Sequence, residues 1–309
     1  MATCNDSNGS NFEYAVKHYY LPVMYSIIFT VGVLGNLISL IVYLAKVRPW
    51  RTSSIIMVNL ASTDLLYMLT MPFLVYYYSL KAWTLGEFMC QLVRLGFHFN
   101  LYASVFFLTC LAVFRYVAIV HPTQAARVQK RRWGILACVL TWSVAVSLMV
   151  PIFIMDFTVQ VDNVTHCLDL ASNDFQKVWW YSWMLTAIGF LLPLVIVCVC
   201  YARIATVLAQ GPHIQRSHRV RARKLIAFII ICFVVCFLPF HVLRALRIYT
   251  NNDDFCTIKQ WVHAAYIMSR PVAVLNIVFN LGLYTLAGDR FKQRFRSLFL
   301  PRKGDQRNQ

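Results

Sequence analysis

Five arginines lie within or at the ends of long apolar stretches of this 309-residue chain: Arg94, Arg115, Arg244, Arg247 and Arg270. Asp64 is the only acid so placed. A guanidinium at mid-membrane costs roughly 2.5–3.5 kcal/mol on insertion scales, and such residues ordinarily face a bundle interior and mark a functional site. Arg94 and His98 are four residues apart and share a helix face. His241, Arg244 and Arg247 are three apart and do the same, while Arg270 belongs to a later stretch. If these faces point inward, they make a cationic cluster that repels itself when empty. Such a cluster binds an anion or borrows an internal one, and Asp169 and Asp174, in the loop before the fifth stretch, are the internal candidates. Arginine forks pair bidentately with carboxylate or phosphate, so the preferred guest is a small species with at least two negative groups. The competing reading, side chains snorkelling to the headgroups, weighs most at Arg247, nearest the expected surface. His98 and His241 gain meaning mainly from their arginine neighbours, since a buried histidine is often only a core residue.

These residues need elements to position them, and the composition says which. The chain is 59% apolar and 13% charged, against roughly 45–50% and 25% for soluble domains. Apolar stretches recur at about 20–45, 53–78, 88–119, 133–154, 180–208, 223–249 and 260–285. Each reaches the ~20 residues a helix needs to cross the hydrocarbon core. Unpaired backbone groups are not tolerated in lipid, and the ten-residue alternation of a barrel strand is missing, so these read as helices. The expected fold is all-α: an extracellular N-terminus (1–19), a seven-transmembrane-helix bundle (20–285), and a cytoplasmic amphipathic helix and tail (286–309). In the last segment Phe291, Phe295, Leu298 and Phe299 follow helical spacing with basic residues between them.

Charge orients the bundle. The segments between spans one and two, three and four, five and six, and the tail carry 20 basic residues against Asp289 and Asp305. The opposite side carries four lysines and nine acids. Cytoplasmic segments collect Lys and Arg, so the N-terminus is expected outside and the C-terminus inside, at the plasma membrane. The net charge of +17 is then a topology signal with an attraction to anionic inner-leaflet lipid, and nucleic acid is not needed as a partner. No basic, short-cored signal precedes span one, which is expected to direct its own insertion. The glycosylation acceptors Asn5, Asn8 and Asn163 all fall on the expected outside, as do Cys4, Cys90, Cys167 and Cys256, where oxidation is permitted.

Further residues resemble the landmarks of rhodopsin-like (class A) G-protein-coupled receptors over nearly the whole chain. They are Gly35-Asn36, Asn59-Leu-Ala-Ser-Thr-Asp64, Cys90, Phe114-Arg115-Tyr116, Trp142, Pro193 with Tyr201, Cys236-Phe-Leu-Pro239 and Asn280-Leu-Gly-Leu-Tyr284. Within that family, His98-Phe-Asn-Leu-Tyr102, Phe240 to Ile248, and Ser269 to Asn276 are most similar to the dicarboxylate receptors, those for 2-oxoglutarate and then succinate. The resemblance implies that Arg94, His98, Tyr102, His241, Arg244, Arg247 and Arg270, with Asp169, hold a dicarboxylate, 2-oxoglutarate first. Nucleotide receptors share much of this set, so a nucleotide or a sulfidopeptide leukotriene remains the alternative. Val274 and Phe97 occupy the positions of the retinal lysine and the amine-binding acid, which argues against light or a monoamine as input.

The same resemblance implies a sodium pocket at Asp64, Asn36, Ser104, Asn276 and Asn280, with a protonated Asp64 in a hydrogen-bond network as the alternative, and an activation path through Arg115, Tyr201, Phe237, Pro239 and Tyr284 to a heterotrimeric G protein. Proline at 239 removes a backbone hydrogen bond, so span six can kink there. Cys90 is expected to pair with Cys167, and Cys4 with Cys256. Phe114, Phe237 and Leu281 depart from the family pattern; with no acid beside Arg115, some ligand-independent signalling is expected. Ser297 is the only hydroxyl after Thr285 in this sequence, so either arrestin recruitment through a phosphorylated tail is weak or the chain is shortened here. An anion transporter lacks support, for want of repeated halves and broken helices. An enzyme lacks it for want of a catalytic or metal-binding motif, and no cofactor is expected beyond sodium.

Overall fold

A computed structural model describes residues 7–173, 175–210, 216–250 and 256–287. Among them, seven helices are long and apolar enough to cross a membrane: Asn11–Ala45, Thr52–Leu80, Gly86–Val120, Arg131–Ile154, Val178–Ala209, Ala222–Tyr249 and Ile258–Leu286. We number these spans one to seven. The all-α bundle expected from hydropathy is present, and its boundaries agree to within a few residues except at the start of span one. There the polar run before residue 20 is helical too, from Ser7. It can be so because it packs on protein: Phe12 meets Trp261 with ring centroids 5.2 Å apart.

Span three is the central element, packed against spans two, four and five, while span seven closes the ring against spans six and one. Leu34, Ile41, Leu140, Val195 and Val199 are exposed; they lie on the faces that lipid would cover. Close approach of spans two and four depends on one glycine. A Cβ on Gly134 would fall 2.9 Å from the Thr52 backbone Cα and 3.1 Å from Ile55 Cδ1. Thr52, at the same crossing, donates from Oγ1 to the Val128 carbonyl at 2.7 Å, tying span two to the segment that enters span four.

Among the described residues three spans contain a π-helical turn, and the site depends on two of them. In span six a π-helical turn runs over Cys232–Phe237 and ends just before Pro239. Proline has no N–H and its ring crowds the carbonyl four residues back, so the helix widens there rather than breaking. In span five a π turn covers Ala187–Leu191. Span one has a third over Val16–Tyr20.

Between spans four and five, strands β1 (Thr158–Val161) and β2 (Val164–Cys167) form an antiparallel hairpin. Its two-residue turn has positive φ at both Asp162 and Asn163, which matches the right-handed twist of paired strands. Three fixings hold the hairpin over the mouth of the bundle. Cys167 is disulfide-bonded to Cys90, as expected. Glu87 accepts from the Phe157 and Thr158 amides, each at 2.8 Å. The Trp83 amide donates to the Thr165 carbonyl at 2.7 Å. Asn163 is exposed at the hairpin tip. Cys4, and with it the Cys4–Cys256 pairing, Asn5, Asp174, the side chain of Asn8, and residues 288–309 with their amphipathic helix lie outside the described residues.

Replacing Gly134 by Val should overpack the crossing of spans two and four, at a cost of about 1–3 kcal/mol. The purified variant should melt several degrees below the parent; an unchanged midpoint would show that the two spans are not in close contact.

Candidate ligand site

A cavity of about 580 Å³ opens at the hairpin end of the bundle. Arg94, Arg247 and Arg270, from spans three, six and seven, all reach its wall, together with Asp169, which follows β2. All four are buried. Arg270 Nη2 lies 3.4 Å from Asp169 Oδ2, its Nη1 donates to the Tyr78 hydroxyl at 3.3 Å, and its guanidinium sits over the Tyr266 ring at 5.7 Å. Arg94 Nη2 donates to the Cys167 carbonyl at 2.6 Å, so the disulfide that pins the hairpin also delivers an acceptor to this guanidinium. Arg94 Nε, and Arg247 Nε and Nη1, are buried with no hydrogen-bond acceptor among the described residues.

Asp169 is the borrowed anion that the cluster requires. Its second oxygen, Oδ1, accepts from the Ser172 amide at 2.9 Å, capping the short helical turn Leu170–Ser172. Burial alone would raise its pKa. The guanidinium of Arg270, with His263 and Arg94 beyond, instead holds the carboxyl well below the usual carboxylate range. Asp169 therefore stays ionised at physiological pH. Among the described residues it does not balance the cavity, because the wall carries Lys17, Lys81, Arg94, Arg247 and Arg270 against the two carboxylates of Glu13 and Asp169.

The remaining residues of the expected set form a deeper tier that does not reach the cavity wall. Arg244 is fully buried. It donates to the Tyr102 hydroxyl at 2.7 Å, to Thr186 Oγ1 at 2.8 Å and the Ser182 carbonyl at 3.4 Å, and faces His241 Nδ1 at 3.2 Å. Arginine only donates, so His241 Nδ1 is the bare nitrogen and the tautomer carries its proton on Nε2. The His241 ring stacks on Phe190 at 4.2 Å. His98 has the opposite tautomer, since its Nδ1 faces the Arg94 carbonyl at 2.9 Å. Tyr102 fits beside Arg244 because residue 189, in the π turn of span five, is glycine: a Cβ there would strike the Tyr102 ring.

Below this tier, Asp64 accepts from Asn100 Nδ2 and Asn280 Nδ2, each at 2.9 Å. Asn36 turns elsewhere, donating to the Gly32 carbonyl and accepting from the Tyr284 hydroxyl at 3.1 Å. Ser104 Oγ, Asn276 Oδ1 and Asn280 Oδ1 are buried acceptors without a partner among the described residues. Phe237 closes the π turn of span six, edge-on to Phe233 at 5.5 Å, just before Pro239. Tyr201 is buried with its hydroxyl unpartnered among the described residues, and Arg115 is half-buried. Tyr78, Tyr266, Thr186, Asn100, Glu13 and His263 join these groups without a mark in the sequence. The first four sit in apolar runs where nothing local distinguishes them, and the last two meet from opposite ends of the chain.

Residues 35–284 match the family described as 7 transmembrane receptor (rhodopsin family). The chain belongs to that family. As a member it is a multi-pass plasma-membrane receptor, not an enzyme, which takes a small-molecule ligand and couples to G proteins. It is 44% identical to the 2-oxoglutarate receptor 1 of Mus musculus over 96% of this chain and 88% of the relative. It is likewise 44% identical to that of Rattus norvegicus, over 93% and 86%. A purinoceptor of Gallus gallus is 34% identical over 90% of this chain and 79% of the relative.

Breaking a buried ion pair by removing one partner costs about 3–5 kcal/mol, because it strands the other charge. Asp169→Asn should therefore lower the melting temperature of the ligand-free receptor, and adding Arg270→Ala should recover part of the loss. A single variant as stable as the parent would mean that Asp169 does not compensate Arg270.

Proposed function

We propose that the chain is a receptor for a small dicarboxylate, with 2-oxoglutarate the favoured species. The observation that carries this reading is that two buried guanidiniums, Arg94 and Arg270, face one open cavity in which cations outnumber carboxylates. A diacid supplies the missing charge, and its carboxylate oxygens suit the forked donors that Arg94 and Arg270 offer. The names of the mouse and rat relatives support the same anion. The excess of basic residues on the loops opposite the hairpin supports an extracellular N-terminus and a cytoplasmic C-terminus.

A ligand acts by binding one bundle arrangement better than another. In our reading the diacid draws Arg94 and Arg270 together and adds attraction on Arg244 beneath them. Arg244 is bonded to Tyr102 of span three and Thr186 of span five, so its movement repacks three spans at once. The widened turn before Pro239 lets span six pivot, and Arg115, Tyr201 and Tyr284 rearrange around a G-protein tail at the inner end. The basic residues after span seven support an attraction to inner-leaflet lipid. The donor set around Asp64 fits a sodium ion. One carboxylate and the unpartnered oxygens of Ser104, Asn276 and Asn280 would hold it, and the ion would supply the charge that a buried carboxylate lacks.

The second reading is a nucleotide receptor, favoured by the purinoceptor similarity and by Lys17 and Lys81 on the cavity wall. A sulfidopeptide leukotriene belongs to the same alternative. Calcium and cyclic-AMP responses of transfected cells to dicarboxylates, nucleotides and leukotrienes separate these readings. A response to 2-oxoglutarate is expected, and a response confined to nucleotides or leukotrienes would overturn the proposal. Arg270→Ala should weaken the dicarboxylate response by about 100-fold or more at unchanged surface expression, in line with the roughly 2–5 kcal/mol lost when one partner of a buried charge pair is truncated. Unchanged potency would refute the site. Asp64→Asn should abolish any effect of sodium on agonist affinity; a sodium effect that persists would remove Asp64 from the ion's shell.

A further inference from the structure

The outer part of the cavity holds charged groups that the contacts above do not use. Glu13 and Lys17 come from the helical extension of span one, Arg247 from span six and His263 from span seven, and all four line the wall. The extension is fastened on both sides of the mouth. Phe12 packs on Trp261, His18 Nδ1 faces the Tyr78 carbonyl at 3.2 Å, and Lys81 bonds the Tyr14 hydroxyl and lies 4.7 Å from its ring. Held between these fixings, the Glu13 carboxylate accepts from Lys17 and lies 3.2 Å from His263 Nδ1. Arg247 interacts electrostatically with both wall carboxylates, Asp169 and Glu13. Yet its Nε and Nη1 are buried without an acceptor among the described residues.

Among the described residues two side-chain carboxylates thus line the cavity on different cationic partners: Asp169 on Arg270, and Glu13 on His263 and Lys17. We infer that His263, Lys17 and Arg247 form a second anion subsite that Glu13 fills at rest, and that one carboxylate of a diacid displaces Glu13 from it. This rests on the reading that Arg94 and Arg270 hold the other carboxylate. At this subsite the exchange is carboxylate for carboxylate, so the charge held there is unchanged, and the two free donors of Arg247 gain acceptors. Glu13 is tethered by the helix that bears it, so it competes as an intramolecular ligand at high effective concentration. The exchange therefore lowers the apparent affinity of a diacid. A ligand with one anionic end gains nothing from displacing Glu13 and leaves it in place.

The test compares 2-oxoglutarate with its two monomethyl esters in dose-response measurements on the full-length receptor at matched surface expression. Glu13→Gln should raise the potency of the diacid about tenfold, equivalent to about 1.4 kcal/mol, and leave both monoesters nearly unmoved. His263→Gln should lower diacid potency and spare the monoesters, and in the double variant Glu13→Gln should bring no gain. Parallel shifts of diacid and monoesters in Glu13→Gln, or no shift, would overturn the subsite. If Glu13→Gln fails to reach the surface, His263→Gln decides alone: a loss confined to the diacid supports the subsite, and an equal loss or none overturns it. A parent receptor that ignores 2-oxoglutarate ends the dicarboxylate reading and this inference together. A diacid response abolished by Arg270→Ala but indifferent to Glu13 and His263 removes only the inference.

Discussion

Positive charge that cannot spread into water governs this molecule. Arg94, Arg244, Arg247 and Arg270 are all buried in one end of a bundle whose other faces lie against lipid. Like charges repel more strongly in a low-dielectric interior than in solvent, so the bundle must supply counter-charge or bind it. The hairpin is the means of supply. A disulfide to the start of span three, the Glu87 carboxylate and the Trp83 amide fix it. The chain leaving it then carries Asp169 to Arg270 and the Cys167 carbonyl to Arg94. Among the described residues compensation is incomplete, and an incompletely neutralised cavity open to one side suits an anion as its guest.

The division of the arginines into two tiers gives that cavity a route to the rest of the bundle. Arg94, Arg247 and Arg270 reach the cavity wall; Arg244 does not, but it joins span six to Tyr102 and Thr186. The packing around it leaves little slack. Tyr102 occupies space that exists only because residue 189 is glycine in a widened turn, and His241 is stacked on Phe190. Span six carries its own widened turn immediately below, ahead of Pro239. In the proposed reading a displacement of Arg244 is shared by three spans and is released at the widened turn of span six. The polar network of Asp64, Asn100 and Asn280 lies deeper and couples spans two, three and seven.

Much of this could be read in the residues themselves. Seven apolar runs, and the gathering of Lys and Arg on alternate loops, specify the bundle because the membrane leaves the backbone few alternatives. Arg94 with His98, and His241 with Arg244, share helix faces by spacing, and the cost of a cation in lipid argues that those faces turn inward. The two tiers could not be read this way, because depth depends on how span five opens at Gly189 to admit Tyr102, a property of packing and not of periodicity. The pairing of Glu13 with His263 was hidden for a different reason. A polar stretch ahead of the first span carries no signal that it will fold back across span seven, and no periodicity links residues so far apart. Asn100, a lone amide in an apolar run, was likewise unmarked, although a buried carboxylate at Asp64 called for a donor from a neighbouring span.

The most direct test is titration calorimetry of the purified receptor in lipid nanodiscs, with 2-oxoglutarate in one experiment and its uncharged dimethyl ester in the other. Convergence of the guanidiniums on one cavity predicts a saturable, one-to-one heat with the diacid and none with the diester. Equal binding of both compounds, or no binding of the diacid by a folded receptor, would contradict it.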